Sequence, residues 1–113
     1  MVNYNGKSYV CLLDFAMDFI RGKWKGVLLC HLYNGPKRFL ELQRMTEGIS
    51  QKVLNEKLKE LENDGLIDKV IYPEVPPKVE YFLTDKGNDL TKAIKEIEAW
   101  STKYYSYLKD NCK

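Results

Sequence analysis

The sequence predicts a mainly α-helical fold with one small β-hairpin, arranged as a winged helix-turn-helix with a long C-terminal helix. Three observations carry this reading. Apolar residues recur at helical spacing in five stretches of the chain. Two of those stretches are short and meet at a glycine-containing turn, Thr46-Glu47-Gly48. Directly after them, two β-rich segments flank Pro73-Glu74-Val75-Pro76-Pro77, as in a hairpin with a stiff tip.

The elements follow in order. Residues 1–10 are polar and read as a loose N-terminal arm. Leu12 to Ile20 places Leu12, Leu13, Phe15, Ala16, Phe19 and Ile20 at helical spacing, with Asp14 and Asp18 opposite, and Gly22 breaks it. A second helix spans about Lys23 to Tyr33, with Trp24, Val27, Leu28 and Leu32 inward, and Asn34-Gly35-Pro36 stops it. The helix-turn-helix occupies 39–64. Its first helix is Phe39 to Met45; its second opens at Ser50, a good N-cap residue, with Ile49 and Leu54 placed as a hydrophobic staple. Leu54, Leu58 and Leu61 share one face, and Gly65 stands at the expected C′ position. The wing spans 66–83; three prolines among five residues exclude a continuing ladder at its tip. The last helix is expected over 84–110. Leu90, Ile94, Ile97, Ser101, Tyr104 and Leu108 form a stripe that so small a domain cannot cover alone, and an exposed apolar stripe implies a partner.

With 113 residues, 44% of them hydrophobic and 30% charged, the chain fits a single globular domain, 1–113. Its longest mostly apolar stretch, Val27 to Tyr33, falls far short of the roughly 20 residues of a membrane helix. The first ten residues lack the apolar core of an export signal, so a cytoplasmic protein is expected. Cys11, Cys30 and Cys112 are odd in number and show no C-x-x-C spacing, and His31 is the one histidine. Neither a disulfide framework, a metal site nor a cofactor is expected. Cys30 and His31 read as core residues, and Cys112 as incidental.

The charge distribution points to a polyanion. Residues 21–59 hold nine Lys or Arg against three Asp or Glu, whereas 60–113 hold eight against eleven. A helix fits the major groove and presents its N-terminal turn to base edges. With Leu54, Leu58 and Leu61 turned inward, Gln51, Lys52, Asn55, Glu56 and Lys59 remain outside. Gln51 and Asn55 suit adenine edges, and Lys52 suits guanine or phosphate. Ser50 and the helix N-terminus suit a phosphate. Lys37, Arg38 and Arg44 flank the first helix of the pair as backbone neutralisers, and Lys78 lies beside the wing tip, toward the next minor groove.

Several of these segments also resemble the HxlR-type regulators. Arg21-Gly22-Lys23-Trp24-Lys25 resembles their G-G-K-W segment, with Arg21 in place of the first glycine. Gly48-Ile49-Ser50-Gln51-Lys52 and the run from Leu58 to Ile67 resemble the recognition helix. Tyr72 to Tyr81 resembles the wing, and Leu83-Thr84-Asp85-Lys86-Gly87 the entry to the last helix. The resemblance covers about residues 11 to 105. It implies a cytoplasmic transcription regulator, dimeric on palindromic double-stranded DNA. It also implies a dimer interface built by the first and last helices, here Leu13, Ile97, Trp100, Tyr104 and Leu108. Some members sense oxidants or electrophiles through a cysteine before the first helix; Cys11 matches that position, although Leu12 stands where proline often follows. Backbone N–H groups at a helix N-terminus favour a thiolate. Trp24 is a landmark of the family and reads as core packing.

A second reading is a protein-interaction module that has lost DNA binding; the basic bias of 21–59 disfavours it. An enzyme is not expected. No Ser-His-Asp set, phosphate loop or metal cluster is present, and Glu60 and Glu62 point apart on one helix.

Overall fold

The computed structural model describes residues 1–108. Its elements are β1 (Val2–Tyr4), β2 (Lys7–Tyr9), α1 (Leu12–Asp18), α2 (Lys25–Leu32), α3 (Phe39–Met45), α4 (Gln51–Asn63), β3 (Ile67–Tyr72), β4 (Lys78–Leu83) and α5 (Asp85–Tyr104). α3 and α4 form the helix-turn-helix, and β3 and β4 form the wing. The core is a leucine cluster: Leu28, Leu29 and Leu32 from α2, Leu42 from α3, Leu54, Leu58 and Leu61 from α4, then Leu66. α2 buries Leu28, Leu29, His31 and Leu32, too wide an arc for a one-sided surface helix, because other elements cover it.

The N-terminal arm is not loose. β1 and β2 pair antiparallel, with Val2 opposite Tyr9 and Tyr4 opposite Lys7. Asn5 (φ 48°) and Gly6 (φ 77°) make the two-residue turn between them. Asn-Gly is the strongest short hairpin signal, since both residues tolerate positive φ. Phe15 of α1 holds the hairpin down, edge-on to Tyr4 at 5.2 Å and to Tyr9 at 5.3 Å. The Tyr9 hydroxyl donates to Asp18 at 2.7 Å.

Asp18 is the hub of this packing. Its carboxyl is held below its ordinary value chiefly by the Tyr9 hydrogen bond, against partial burial, with help from Arg21 and Lys7. A depressed carboxylate pKa stabilises the fold above the ordinary value, and that contribution is lost as pH falls through the native value. In Tyr9→Phe the Asp18 titration midpoint, followed by carboxyl NMR, is therefore expected to move up. An unmoved midpoint would show that the tyrosine is not the cause. Arg21, the departure from the family's glycine, bonds Asp18 at 3.2 Å and pairs with Asp14 at 3.5 Å, bracing the end of α1.

Three other boundaries differ from expectation. α1 stops at Asp18, and Phe19 and Ile20 close it with short-range bonds to Ala16 and Met17. α2 begins at Lys25, with Trp24 as its N-cap. α5 ends at Tyr104 rather than 110, with Tyr105 as its C-cap, so Leu108 lies beyond the helix. Residues 109–113, which take in the end of the expected span and Cys112, lie outside the described residues.

The wing pairs in register from Ile67 opposite Leu83 to Tyr72 opposite Lys78. A bridge adds a third segment: Lys37 N–H donates to Tyr81 O at 3.0 Å, and Tyr81 N–H to Lys37 O at 2.8 Å. The linker between α2 and α3 is thereby sewn to the wing.

At the start of α5, Thr84 accepts the Gly87 N–H at 3.1 Å and donates to Gly65 O at 2.6 Å. Gly87 lies against the Leu66 backbone. The first half of α5 packs on the core through Leu90 and Ile94. The same face continues bare through Ile97, Trp100 and Tyr104.

Candidate nucleic-acid interface

α4 is built to present one face. Ser50 accepts the Val53 N–H at 3.1 Å, capping the helix and leaving its own O–H as a donor. At the other end Leu66 N–H bonds Leu61 O and Gly65 N–H bonds Glu62 O, both at 3.0 Å, with Gly65 at φ 73°. That is a Schellman motif, and it stops the helix at the predicted glycine. Leu54, Leu58 and Leu61 are fully buried, so the helix cannot rotate about its axis. Gln51, Lys52, Asn55, Glu56 and Lys59 are consequently exposed together. The turn before the helix needs Gly48 at φ 88°, and the Trp24 ring packs close beneath that glycine. Trp24 therefore joins the core and supports the turn.

The predicted backbone-contacting cations divide. Arg38, Arg44 and Lys78 line one groove of about 400 Å³ between α3 and the tip end of the wing. Leu40, Pro76 and Pro77 give it apolar walls, and Glu41 is its one carboxylate. Glu41 also accepts the Arg38 N–H at 3.0 Å, bracing the α3 N-terminus. Lys78 stands 3.8 Å from Glu80 and over the Tyr72 ring at 4.8 Å, so it is tethered at the groove rather than reaching from the tip. Lys37 turns away: its ammonium donates to Gly35 O at 3.1 Å, and its backbone forms the bridge to Tyr81. Lys52, Lys59 and Arg44 make no ion pair among the described residues, whereas Lys57 is paired to Glu60 at 3.1 Å.

The remaining expected positions are equally plain. Leu13, Ile97, Trp100, Tyr104 and Leu108 are all exposed. Trp100 touches Tyr104 and Tyr105, with ring centroids 5.8 and 5.7 Å apart, so the bare end of α5 is an aromatic cluster. Cys11 is exposed as the α1 N-cap residue and makes no side-chain cap bond. Cys30 is half-buried and His31 buried in α2. Among the described residues, no group of three His, Cys, Asp or Glu side chains is placed to hold a metal ion. No described helix is long and apolar enough to cross a membrane.

Thr46, at the α3 C-cap, has a buried hydroxyl without a hydrogen-bond partner. An unsatisfied buried polar group is destabilising by about 1–3 kcal/mol. Thr46→Val keeps the shape and removes that group, so a gain of about 1 kcal/mol is expected by urea unfolding. A loss of stability would mean that the hydroxyl has a bonding role in solution.

Residues 19–109 match the model of the HxlR-like helix-turn-helix family. The chain is 46% identical over 104 residues to the HTH-type transcriptional regulator YdeP of Bacillus subtilis, spanning 91% of this chain and 81% of that one. It is 38% identical over 99 residues to the HTH-type transcriptional regulator YodB of the same organism, covering 88% of each. Among solved structures, the redox regulator HypR in its reduced form superposes with a TM-score of 0.79 at 41% identity, covering 82% of this chain and 92% of that one. Its oxidized form gives 0.78 at 40% identity, covering 88% and 99%. The family match takes in the helix-turn-helix, the wing and the whole of α5, and the chain belongs to the HxlR-like helix-turn-helix family of transcriptional regulators.

Proposed function

We propose that this protein is a cytoplasmic, non-enzymatic transcriptional regulator that binds palindromic double-stranded DNA as a homodimer. The observation that carries the reading is the α4 face. Three buried leucines fix its rotation, which leaves Gln51, Lys52, Asn55 and Lys59 outward, while Arg38, Arg44 and Lys78 line a groove between α3 and the wing. Gln51 and Asn55 read adenine edges; Ser50, Lys52, Lys59 and the groove cations hold phosphates, with Lys37 serving the α3–wing joint. Two copies joined through α1 and α5 set their α4 helices about 34 Å apart, one turn of DNA. An interaction module would have no use for unpaired lysines on this face.

The test is a mobility-shift titration on the DNA upstream of the protein's own gene, at two salt concentrations. Binding is expected to weaken steeply with salt, because each neutralised phosphate releases counterions. Lys52→Ala is expected to lower the log–log salt slope by about one. Salt-insensitive association, or no specific binding in a wider DNA screen, would favour the interaction module.

A thiol switch at Cys11 is the second part of the reading. Cys11 is exposed at the start of α1, beside Leu12 and Leu13 on the surface assigned to the dimer. The similar protein HypR is described as a redox regulator. A mild thiol oxidant is expected to abolish DNA binding by the native chain and leave Cys11→Ser unaffected. Equal loss in both would place the oxidation elsewhere.

A further inference from the structure

A second cleft, of about 280 Å³, opens on the side of the molecule where the N-terminal hairpin meets the helices. One side of it is aromatic: Tyr4 and Tyr9 from the hairpin, Phe15 from α1, and Phe19 just after it. Phe15 meets Tyr4, Tyr9 and Phe19 edge-on at 5.1–5.3 Å, so the rings are already ordered as a cradle. Small-molecule sites are mostly apolar hollows of about 300–1,000 Å³ with a few placed polar groups. This one, at about 280 Å³, lies just below that range, which suits a molecule with a single ring.

Asn5, Lys7, Asp18, Lys25 and Asp64 complete the lining, and Lys25 is the less exposed of its two cations. The Lys25 side chain is only 12% exposed, and its ammonium stands 3.9 Å from Glu60 and 4.0 Å from Asp64. Both separations exceed hydrogen-bond reach, so neither carboxylate accepts from it. Glu60 has a nearer cation in Lys57, at 3.1 Å. A largely buried lysine side chain whose ammonium has three donors and no direct acceptor favours an anion with oxygens to offer. Of the two carboxylates that line the cleft, Asp18 is engaged by hydrogen bonds and Asp64 is balanced by Lys25 at longer range. Asp18 takes the Tyr9 hydroxyl and Arg21, and lies 3.6 Å from Lys7, while Asp64 faces Lys25 itself. A cationic ligand would therefore compete with resident lysines for each carboxylate.

We propose that this cleft is an effector site for a small single-ring aromatic anion, held by the four rings and by Lys25. The cleft touches both ends of the proposed machinery. Phe15 belongs to α1, which carries the dimer face, and Asp64 caps α4. An occupant would bridge the two elements.

The probe is benzoate, titrated calorimetrically into the full chain, with benzyl alcohol and benzylammonium as neutral and cationic counterparts. Benzoate is expected to bind about tenfold more tightly than benzyl alcohol, the difference made by one charge-assisted contact. Lys25→Met keeps the aliphatic stem and is expected to bring benzoate down to the benzyl alcohol level. Tyr4→Ala removes a half-exposed wall without touching the core and is expected to weaken all three probes. Benzoate is also expected to shift amide NMR signals around Tyr4, Phe15 and Lys25. No binding of benzoate to the native chain, a preference for benzylammonium, unchanged affinity in a folded Lys25→Met, or shifts confined to α5 would each overturn the assignment. An accompanying change in DNA affinity rests on the proposed function; the binding measurements stand without it.

Discussion

Gly87→Ala is expected to unfold the protein. In an ordinary helix the change stabilises by about 0.5–1 kcal/mol, because alanine loses less backbone entropy. Here a Cβ on residue 87 would lie 1.8 Å from the Leu66 carbonyl oxygen and 2.8 Å from its carbon. Those are backbone atoms and cannot rotate aside. The same carbonyl accepts the Thr84 N–H at 3.1 Å, so the approach is locked from both sides. Relief requires the first turn of α5 to lift from the wing base, undoing the Thr84 and Lys86 bonds to Gly65 O and Asp64 O. A loss of at least about 4 kcal/mol is expected, the range of severe overpacking and broken networks. Circular dichroism melts will measure it. Gly26→Ala, in α2, is the control: nothing lies within 4 Å of its Cβ position, and a gain of up to about 1 kcal/mol is expected. Two glycine-to-alanine changes of opposite sign would isolate close approach as the cause; a neutral Gly87→Ala would refute it.

The second large effect concerns α5. Ile97→Glu with Trp100→Glu is expected to convert the proposed dimer to a monomer and to weaken the proposed DNA binding by about a hundredfold or more. Both side chains are more than half exposed in the single chain, so the fold itself should lose little. In the proposed dimer they would be buried, and carboxylates desolvated against an aromatic and aliphatic surface are strongly unfavourable. The effect on DNA follows from linkage: two joined half-site readers exceed one by about 10²–10⁴ through effective concentration alone. Sedimentation equilibrium reads the first outcome and a mobility shift the second. A variant that stays dimeric would remove α5 from the interface. A monomer with undiminished DNA affinity would separate dimerisation from recognition.

What was legible in the sequence was local. Ser50 as a cap, Gly65 as a stop and the Leu54–Leu58–Leu61 face each follow from a few neighbouring residues, and the α4 surface follows from them. Asn5-Gly6 was equally local and marks the hairpin that the polar arm conceals. The end of α5 misled for a different reason. The stripe continues to Leu108, but Ser101, Thr102, Tyr104 and Tyr105 are middling helix formers on a segment without core packing in the single chain, and periodicity alone does not sustain a helix. The rest was non-local. No pattern near Lys37 reveals that its backbone pairs with Tyr81, or that its ammonium turns back on Gly35. Nothing near Gly87 names Leu66 as the atom it must admit. The Leu83-Thr84-Asp85-Lys86-Gly87 motif showed where the helix begins, and only the packing shows why its glycine is needed.

The Lys37–Tyr81 bridge has a consequence for recognition. A free two-stranded wing would sample many orientations, and anything lying against it would have to freeze them. Two backbone hydrogen bonds instead anchor the returning strand to the segment that leads into α3. Arg38 follows Lys37 directly, so the wing base and the first groove cation move as one body. A partner that lies along this face orders little besides the 73–77 tip, and the conformational entropy of the remainder is lost once, in folding, rather than again at each binding event.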